Sequence, residues 1–272
     1  MEAGLTREKK YMDTERRIVF EGISNCRDLG GLPAAGGRKI RRGLLLRTGN
    51  LFAATEGDRE ELRSRWHLSL IIDLRTSNGQ RRRPDADIPG AEHVSVPVFE
   101  EEMLGISHGG SQKVLFNGQP LPDMEKLYRN ITLAPGCRAQ YGKALRTIMA
   151  HDYSRGSVLW HCTEGKDRCG MTAAFLLTAL GAGRETILGD YLISNETAEA
   201  KGKKYYDQFI AAGRGEAAAE LVRNAFIVKE SYLKGTFEAA EEQFGSMEGF
   251  LAEGLEVPGD LIAEFREKVL EN

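Results

Sequence analysis

The chain is 272 residues long, enough for one large domain or two small ones, and its 41% apolar and 28% charged residues are ordinary for a globular protein. Its 37 basic and 40 acidic residues nearly cancel to −3, so nothing draws the whole molecule towards nucleic acid or an acidic membrane, and any anion site has to be local. The four cysteines (Cys26, Cys137, Cys162, Cys169) are too few for a disulfide scaffold and form no paired C-x-x-C zinc pattern, which favours a reducing compartment.

Residues 1–16 are polar and are expected to be frayed, ahead of a single domain over residues 17–272. The stretch MEAGLTREKKYMDTERR has charge but no apolar centre, so it does not read as a signal peptide. No apolar run approaches the ~20 residues needed to span a bilayer. The expected location is the cytoplasm, with export without a cleavable signal as the alternative.

Arg17–Phe20 begins a strand. GGLPAAGG (Gly30–Gly37) is dense in turn formers and reads as a hairpin or loop; it lacks the strand–GxGxxG–helix context of a nucleotide fingerprint. Leu44–Leu46 is a short strand. Thr55 with Asp58 makes a capping box for a helix that places Leu62 and Trp66 on one face. Leu68–Leu74 (LSLIIDL) is a near-continuous apolar strand of the kind buried on both faces of a parallel sheet, and His93–Val98 alternates as a further strand. RRRP (Arg81–Pro84) reads as a solvated turn, and His67, His93, His108 and His151 show no ligand spacing.

Residues 100–122, with four glycines and two prolines, are expected to form a long mobile loop. Met124–Met149 is mainly helical, interrupted at Pro135–Gly136. Ser157–Trp160 is a strand, and Gly170–Leu180 a buried helix stopped near Gly181 and Gly183. The last ninety residues are helical by pattern: Leu221, Ala225, Lys229 and Tyr232 fall one turn apart, Phe237, Ala240 and Phe244 share a face ending at Gly245, and Leu261, Phe265 and Val269 share another after Pro258. Strands alternating with helices predict an α/β fold: a mostly parallel central sheet flanked by helices, with a helical C-terminal part.

The chemistry concentrates in VLWHCTEGKDRCGMTAAFLLTAL (Val158–Leu180). A strand–turn–helix unit aims the backbone N–H groups of its turn at one spot, and the helix start adds partial positive charge. Gly165 and Gly170 are expected to let the backbone curl close around an anion. Cys162, at the strand end, gains a favoured thiolate from those amides and from Arg168. His161 fixes the turn with a hydrogen bond. Arg168 grips two phosphate oxygens with its planar fork. A thiolate below a phosphate so held is placed for in-line attack, giving a cysteinyl-phosphate that water hydrolyses. Five residues between Cys162 and Arg168 wrap one tetrahedral oxyanion. Asp167 follows Gly165–Lys166 where the ATP-binding loop has a Ser or Thr, so that motif is absent.

HCTEGKDRCG (His161–Gly170) resembles the HCxxGKDRTG signature of the atypical bacterial tyrosine phosphatases, which also act on phosphoserine, phosphothreonine and phosphoinositides. NCRDLGG (Asn25–Gly31), GLLLRTGNL (Gly43–Leu51), IIDLRT (Ile71–Thr76) and DYLISN (Asp190–Asn195) resemble further segments of that family, in the same order. The resemblance implies a phosphotyrosine-phosphatase-like fold and a phosphatase without metal or cofactor. Cys162 matches the nucleophile, Arg168 the phosphate clamp, and Lys166 and Asp167 the loop's Lys–Asp pair. His161, Thr163, Glu164, Gly165, Lys166, Cys169 and Gly170 then line the substrate. Its partner is a phosphorylated protein or a phosphoinositide, not nucleic acid.

The general acid is Asp167 or Asp73, with Asp167 ranked ahead although Arg168 beside it should lower its pKa. Cys169 replaces the usual Thr, a weaker donor to the leaving thiolate, and could form a reversible disulfide with Cys162. Glu164 on the rim should weaken binding of highly charged substrates. Arg27 and Asp28 are expected to brace the fold; Arg47 and Arg75 are either anion contacts or surface charges. A lid comes from residues 100–122 or from the helices after Asn195. Two other functions stay open: a phosphate-binding pseudophosphatase, and a sulfur carrier or arsenate reductase.

Overall fold

The structure, a computed structural model, describes residues 14–99 and 123–272. The N-terminal strands are short: β1 (Arg17–Ile18), β2 (Cys26–Asp28), β3 (Lys39–Ile40) and β4 (Leu45–Thr48). Thr55 then caps α1 (Glu56–Ser64), with the Thr55–Asp58 box formed in both directions. β5 (Leu68–Asp73), α2 (Ser77–Arg82) and β6 (Glu92–Ser95) follow, then α3 (Met124–Leu133) and α4 (Pro135–Ala150), β7 (Ser157–His161) and α5 (Asp167–Ala179). The C-terminal part is α6 (Arg184–Leu192), α7 (Asn195–Ala211), α8 (Glu216–Phe226), α9 (Glu230–Phe244), the short α10 (Met247–Gly249), a π turn at Phe250–Gly254, α11 (Gly259–Val269) and β8 (Leu270–Glu271).

The main sheet has the order β1-β2-β4-β7-β5-β6; β4, β7, β5 and β6 are parallel, and the β1–β2–β4 edge is antiparallel. Side-chain alternation splits the apolar strands between two cores. Leu45, Leu70, Ile72, Val158 and Trp160 face α4 and α5, while Leu46, Ile71, Leu159 and Leu68 face Leu62 of α1. Both faces of β5 and β7 are buried, which is why these segments read as unbroken apolar runs. Parallel order brings the carboxyl ends of β4, β7 and β5 side by side, where ligands of such sheets sit.

Several expectations need correction. Thr14–Arg16 form a 3₁₀ turn and Arg16 is buried on Asp190, so order begins before residue 17; residues 1–13 lie outside the described residues. The periodic run from Leu221 to Tyr232 is two helices, because the chain extends at Ile227 and Lys229 between α8 and α9. The C-terminus is not helical to its end: Leu270–Glu271 pairs antiparallel with Lys39–Ile40. RRRP is not a plain turn, since Arg81 and Arg82 close α2, capped by Thr76. The proposed lid at 100–122 lies outside the described residues. Among the described residues no helix is long and apolar enough to cross a membrane.

Candidate active site

The turn from Cys162 to Lys166 joins the end of β7 to the start of α5, so Arg168 stands in the first helical turn. Its carbonyls are held from outside. Asn50 Nδ2 donates to Thr163 O at 2.9 Å, Asn25 Nδ2 to Glu164 O at 3.0 Å, and Arg47 Nη2 to Gly165 O at 2.9 Å and Lys166 O at 3.4 Å. A planar trans peptide points its N–H opposite its C=O. Holding those carbonyls outward therefore turns the amides of Glu164, Gly165, Lys166 and Asp167 towards the inside of the turn, an anion-binding cup at a helix N-terminus.

Gly165 is required here: its φ is +70°, and a Cβ would lie 2.6 Å from the Thr48 carbonyl. Gly170 does not shape the cup, contrary to the sequence reading. It lies in α5, where a Cβ would meet the Tyr191 ring at 2.7 Å, so it sets the approach of α6 instead.

Within the cup, Cys162 is buried, and burial alone would push its thiol up. The Cys169 thiol and backbone N–H and the Arg168 charge outweigh that and bring it down to about 5. Cys169 is itself pushed well up by burial and by the neighbouring Cys162, so it stays a neutral thiol that can donate. Arg168 is positioned by Leu74 O (3.4 Å from Nη1), Thr163 Oγ1 (3.2 Å from Nη2) and the Phe99 ring 4.9 Å from Cζ.

Asp167 accepts from Tyr128 OH at 2.6 Å and pairs with Lys166 Nζ at 3.0 Å; Tyr191 OH donates in turn to Tyr128 OH at 2.8 Å. Asp73, the rival acid, is fully buried and gives both oxygens to Arg75, at 2.6–3.1 Å. Its strand end does reach the site, but through the Leu74 carbonyl.

His161 Nδ1 lies 3.4 Å from Cys162 O, and its Nε2 lies 3.0 Å from Asp85 Oδ2 and 3.8 Å from Asp73. Burial pulls His161 down, but the two carboxylates outweigh it and hold the ring above its ordinary value. His93, read as having no ligand spacing, joins Asp73, Asp85 and His161 within 4.8 Å. That set has the chemistry of a cation site, yet Arg75 Nη2 already pairs with both carboxylates, at 2.6 and 2.9 Å.

Sequence reasoning left Arg47 and Arg75 undecided; both are buried braces, Arg47 joining the loop to Asp190. Arg27 and Asp28 brace as expected: Arg27 binds Asp190 and Asn25, and Asp28 caps Gly30 N and Gly43 N. Asn25, Asn50, Asp190 and Tyr191 sit in segments already matched to the family; Tyr128 and Asp85 sit in none.

The helices after Asn195 cover the loop. Lys166 Nζ donates to Ala225 O of α8 at 3.0 Å, and Lys201 of α7 pairs with Glu164 at 2.6 Å. Glu164 is thus neutralised rather than a bare acid on the rim. The α7–α8 hairpin has a small core of its own, Phe209, Ala219 and Val222, with Tyr205 stacked on Phe226.

A profile of the tyrosine phosphatase family matches residues 18–271. A candidate tyrosine-protein phosphatase of Cupriavidus necator is 32% identical over 242 residues, covering 88% of this chain and 84% of the relative. The triple specificity protein phosphatase PtpB of Mycobacterium tuberculosis is 25% identical over 259 residues, 85% of this chain and 91% of the relative. A tyrosine-protein phosphatase of Nostoc commune is 26% identical over 194 residues, 68% and 59% of the two chains.

Proposed function

This chain belongs to the tyrosine phosphatase family and is a phosphatase, and from that premise we propose that it hydrolyses phosphate monoesters through a cysteinyl-phosphate on Cys162. The observation that supports this reading best is a buried thiol brought down to about 5 beside Arg168, within a cup of amides. The substrate's phosphoryl oxygens sit on the loop amides and the Arg168 fork. Cys162 Sγ attacks phosphorus as the bond to the ester oxygen breaks, and the charge on the equatorial oxygens meets donors already in place.

Asp167 protonates the departing oxygen, then as carboxylate takes a proton from the water that cleaves the S–P bond. It is favoured over Asp73 because Asp73 is engaged twice over by Arg75, whereas Asp167 stands at the loop's end on Tyr128 and Lys166. The thiol of Cys169 steadies the leaving thiolate, and the α7–α8 hairpin covers the bound substrate.

Phosphotyrosine is the first substrate class. Phosphoserine, phosphothreonine and phosphoinositides are the wider set, in keeping with the relative named for triple specificity and with Lys201 offsetting Glu164. The test is vanadate-sensitive hydrolysis of p-nitrophenyl phosphate followed by a panel of phosphopeptides and phosphoinositides. Cys162→Ser should abolish turnover while still binding phosphate; turnover surviving in that variant would remove the proposal.

A further inference from the structure

Asp85 lies outside the loop and outside every motif, yet its carboxylate meets groups on or just past four parallel strands. Its Oδ1 accepts from Leu51 N, just past β4, at 3.2 Å. Its Oδ2 lies 2.9 Å from Arg75 Nη2 past β5, 3.0 Å from His93 Nε2 on β6, and 3.0 Å from His161 Nε2 at the end of β7. His161 is the contact that matters, because Cys162 follows it directly. The ring is fully buried, and its Nε2 makes no well-directed hydrogen bond, so it depends on the carboxylate's charge. The other charged groups facing it are Asp73 at 3.8 Å, already bound by Arg75, then Arg75 itself, and the His93 ring with its centroid 6.5 Å away.

We propose that Asp85 is a positioning residue for the nucleophile: it holds His161 as an imidazolium against the base of the loop and so helps keep Cys162 ionised. Its own ionisation suits the task. Burial opposes the charge, but His161, His93 and Arg75 outweigh it and hold the carboxyl far below its usual range. Without that charge the buried imidazolium has only the Arg75-bound Asp73 nearby, and the ring gives up its proton. A cation is then lost from the neighbouring His161 ring, whose Nδ1 lies 3.4 Å from the Cys162 carbonyl.

The inference rests on Cys162 being the nucleophile, which the Cys162→Ser assay decides separately. Its own test is the ultraviolet titration of the Cys162 thiolate in folded protein, with Cys162→Ser as the blank. Cys26, Cys137 and Cys169 are all pushed up by burial and stay silent in acid. The wild-type midpoint should fall at about 5. Asp85→Asn should lower the thiolate-to-thiol ratio at that pH roughly three- to tenfold, a rise of about half to one unit. His161→Asn should give a similar rise, and the double variant no more than the larger single effect, since both act through one pair.

A midpoint unmoved in Asp85→Asn, or two effects that simply add, would overturn the proposal and leave Asp85 a structural brace. If Asp85→Asn does not fold, His161→Asn decides alone, because an unchanged midpoint there excludes action through the ring. The wild-type protein offers a check that needs no variant: its His161 imidazole NMR signal should stay that of the protonated ring through neutral pH, and a neutral ring at pH 7 refutes the idea.

Discussion

A thiol whose ordinary value is 9.0 and which stands at about 5 has an unusual pH signature. Its reactive form is full at neutral pH and is lost as the pH falls through about 5, so the acid limb of kcat/KM should lie there, well below that of an ordinary cysteine. The first prediction is aimed at Cys169. Its thiol is the largest influence lowering Cys162, ahead of the Arg168 charge. Cys169→Ala should therefore move the acid limb upward by about one unit, about tenfold in the thiolate-to-thiol ratio. Alkylation of Cys162 by iodoacetamide against pH measures this without turnover. An acid limb identical in the two proteins would show that Arg168 and the amides suffice, and that Cys169 merely fills space between Thr48 O and Trp160 O, 3.6 and 3.9 Å from its sulfur.

Among the described helices, the α7–α8 hairpin touches the loop from outside the sheet. Its ties among the described residues include Lys166 to the Ala225 carbonyl, Lys201 to Glu164, and Asn195 bonded in both directions to Val228 at the base. The Lys201 and Glu164 side chains are 41% and 34% exposed, so the pair contributes below about 1 kcal/mol to stability. Its larger effect is on charge at the rim. Lys201→Ala bares Glu164, and kcat/KM for a multiply phosphorylated phosphoinositide should fall a few-fold relative to p-nitrophenyl phosphate, with the melting temperature nearly unchanged. Equal losses on both substrates would mean the lysine acts on the loop's shape rather than on substrate charge.

The same scale shows what could be read from the chain. β5, β7 and α5 are legible because burial on both faces forces continuous apolar sequence. The cup is legible because Cys162, Gly165 and Arg168 are close in sequence. The separation of α8 from α9 is not, since the same apolar spacing runs through the bend at Ile227–Lys229. The β3–β8 pair is not either, because strands of two residues carry no period. Asn25, Asn50 and Asp85 are polar residues in loops, and only the sheet's strand order reveals that the first two hold carbonyls of the turn while the third reaches His161 at the end of β7.

For the molecule as a whole, Asp190 joins parts of the fold that are distant in sequence. Its carboxylate on α6 takes Arg16 at 2.9 Å, Arg27 at 3.1 Å and Arg47 at 2.7 Å, all of them buried. These come from the N-terminal 3₁₀ turn, β2 and β4, and Arg47 carries the link on to the Gly165 and Lys166 carbonyls. The cluster is strained by its own charge: burial and the neighbouring Arg47 bring Arg27 down to about 10 despite the carboxylate. Asp190→Asn would remove the carboxylate that these buried guanidiniums share, which costs about 3–5 kcal/mol.

The pH dependence follows from the direction of the shift. Burial disfavours the Asp190 carboxylate, but the arginines outweigh it and hold the carboxyl far below its ordinary 3.8. Its stabilising contribution is therefore complete above about pH 4 and is lost as the pH falls from there towards the folded-state value. Urea midpoints of the wild type should drop steeply below about pH 4, while Asp190→Asn should be less stable at pH 7 and much flatter in acid. Because the loop carbonyls hang on Arg47, activity of that variant should fail at lower urea than global unfolding. A variant as stable as wild type at pH 7, with the same acid slope, would mean that the arginines find other partners and that the cup does not depend on this carboxylate.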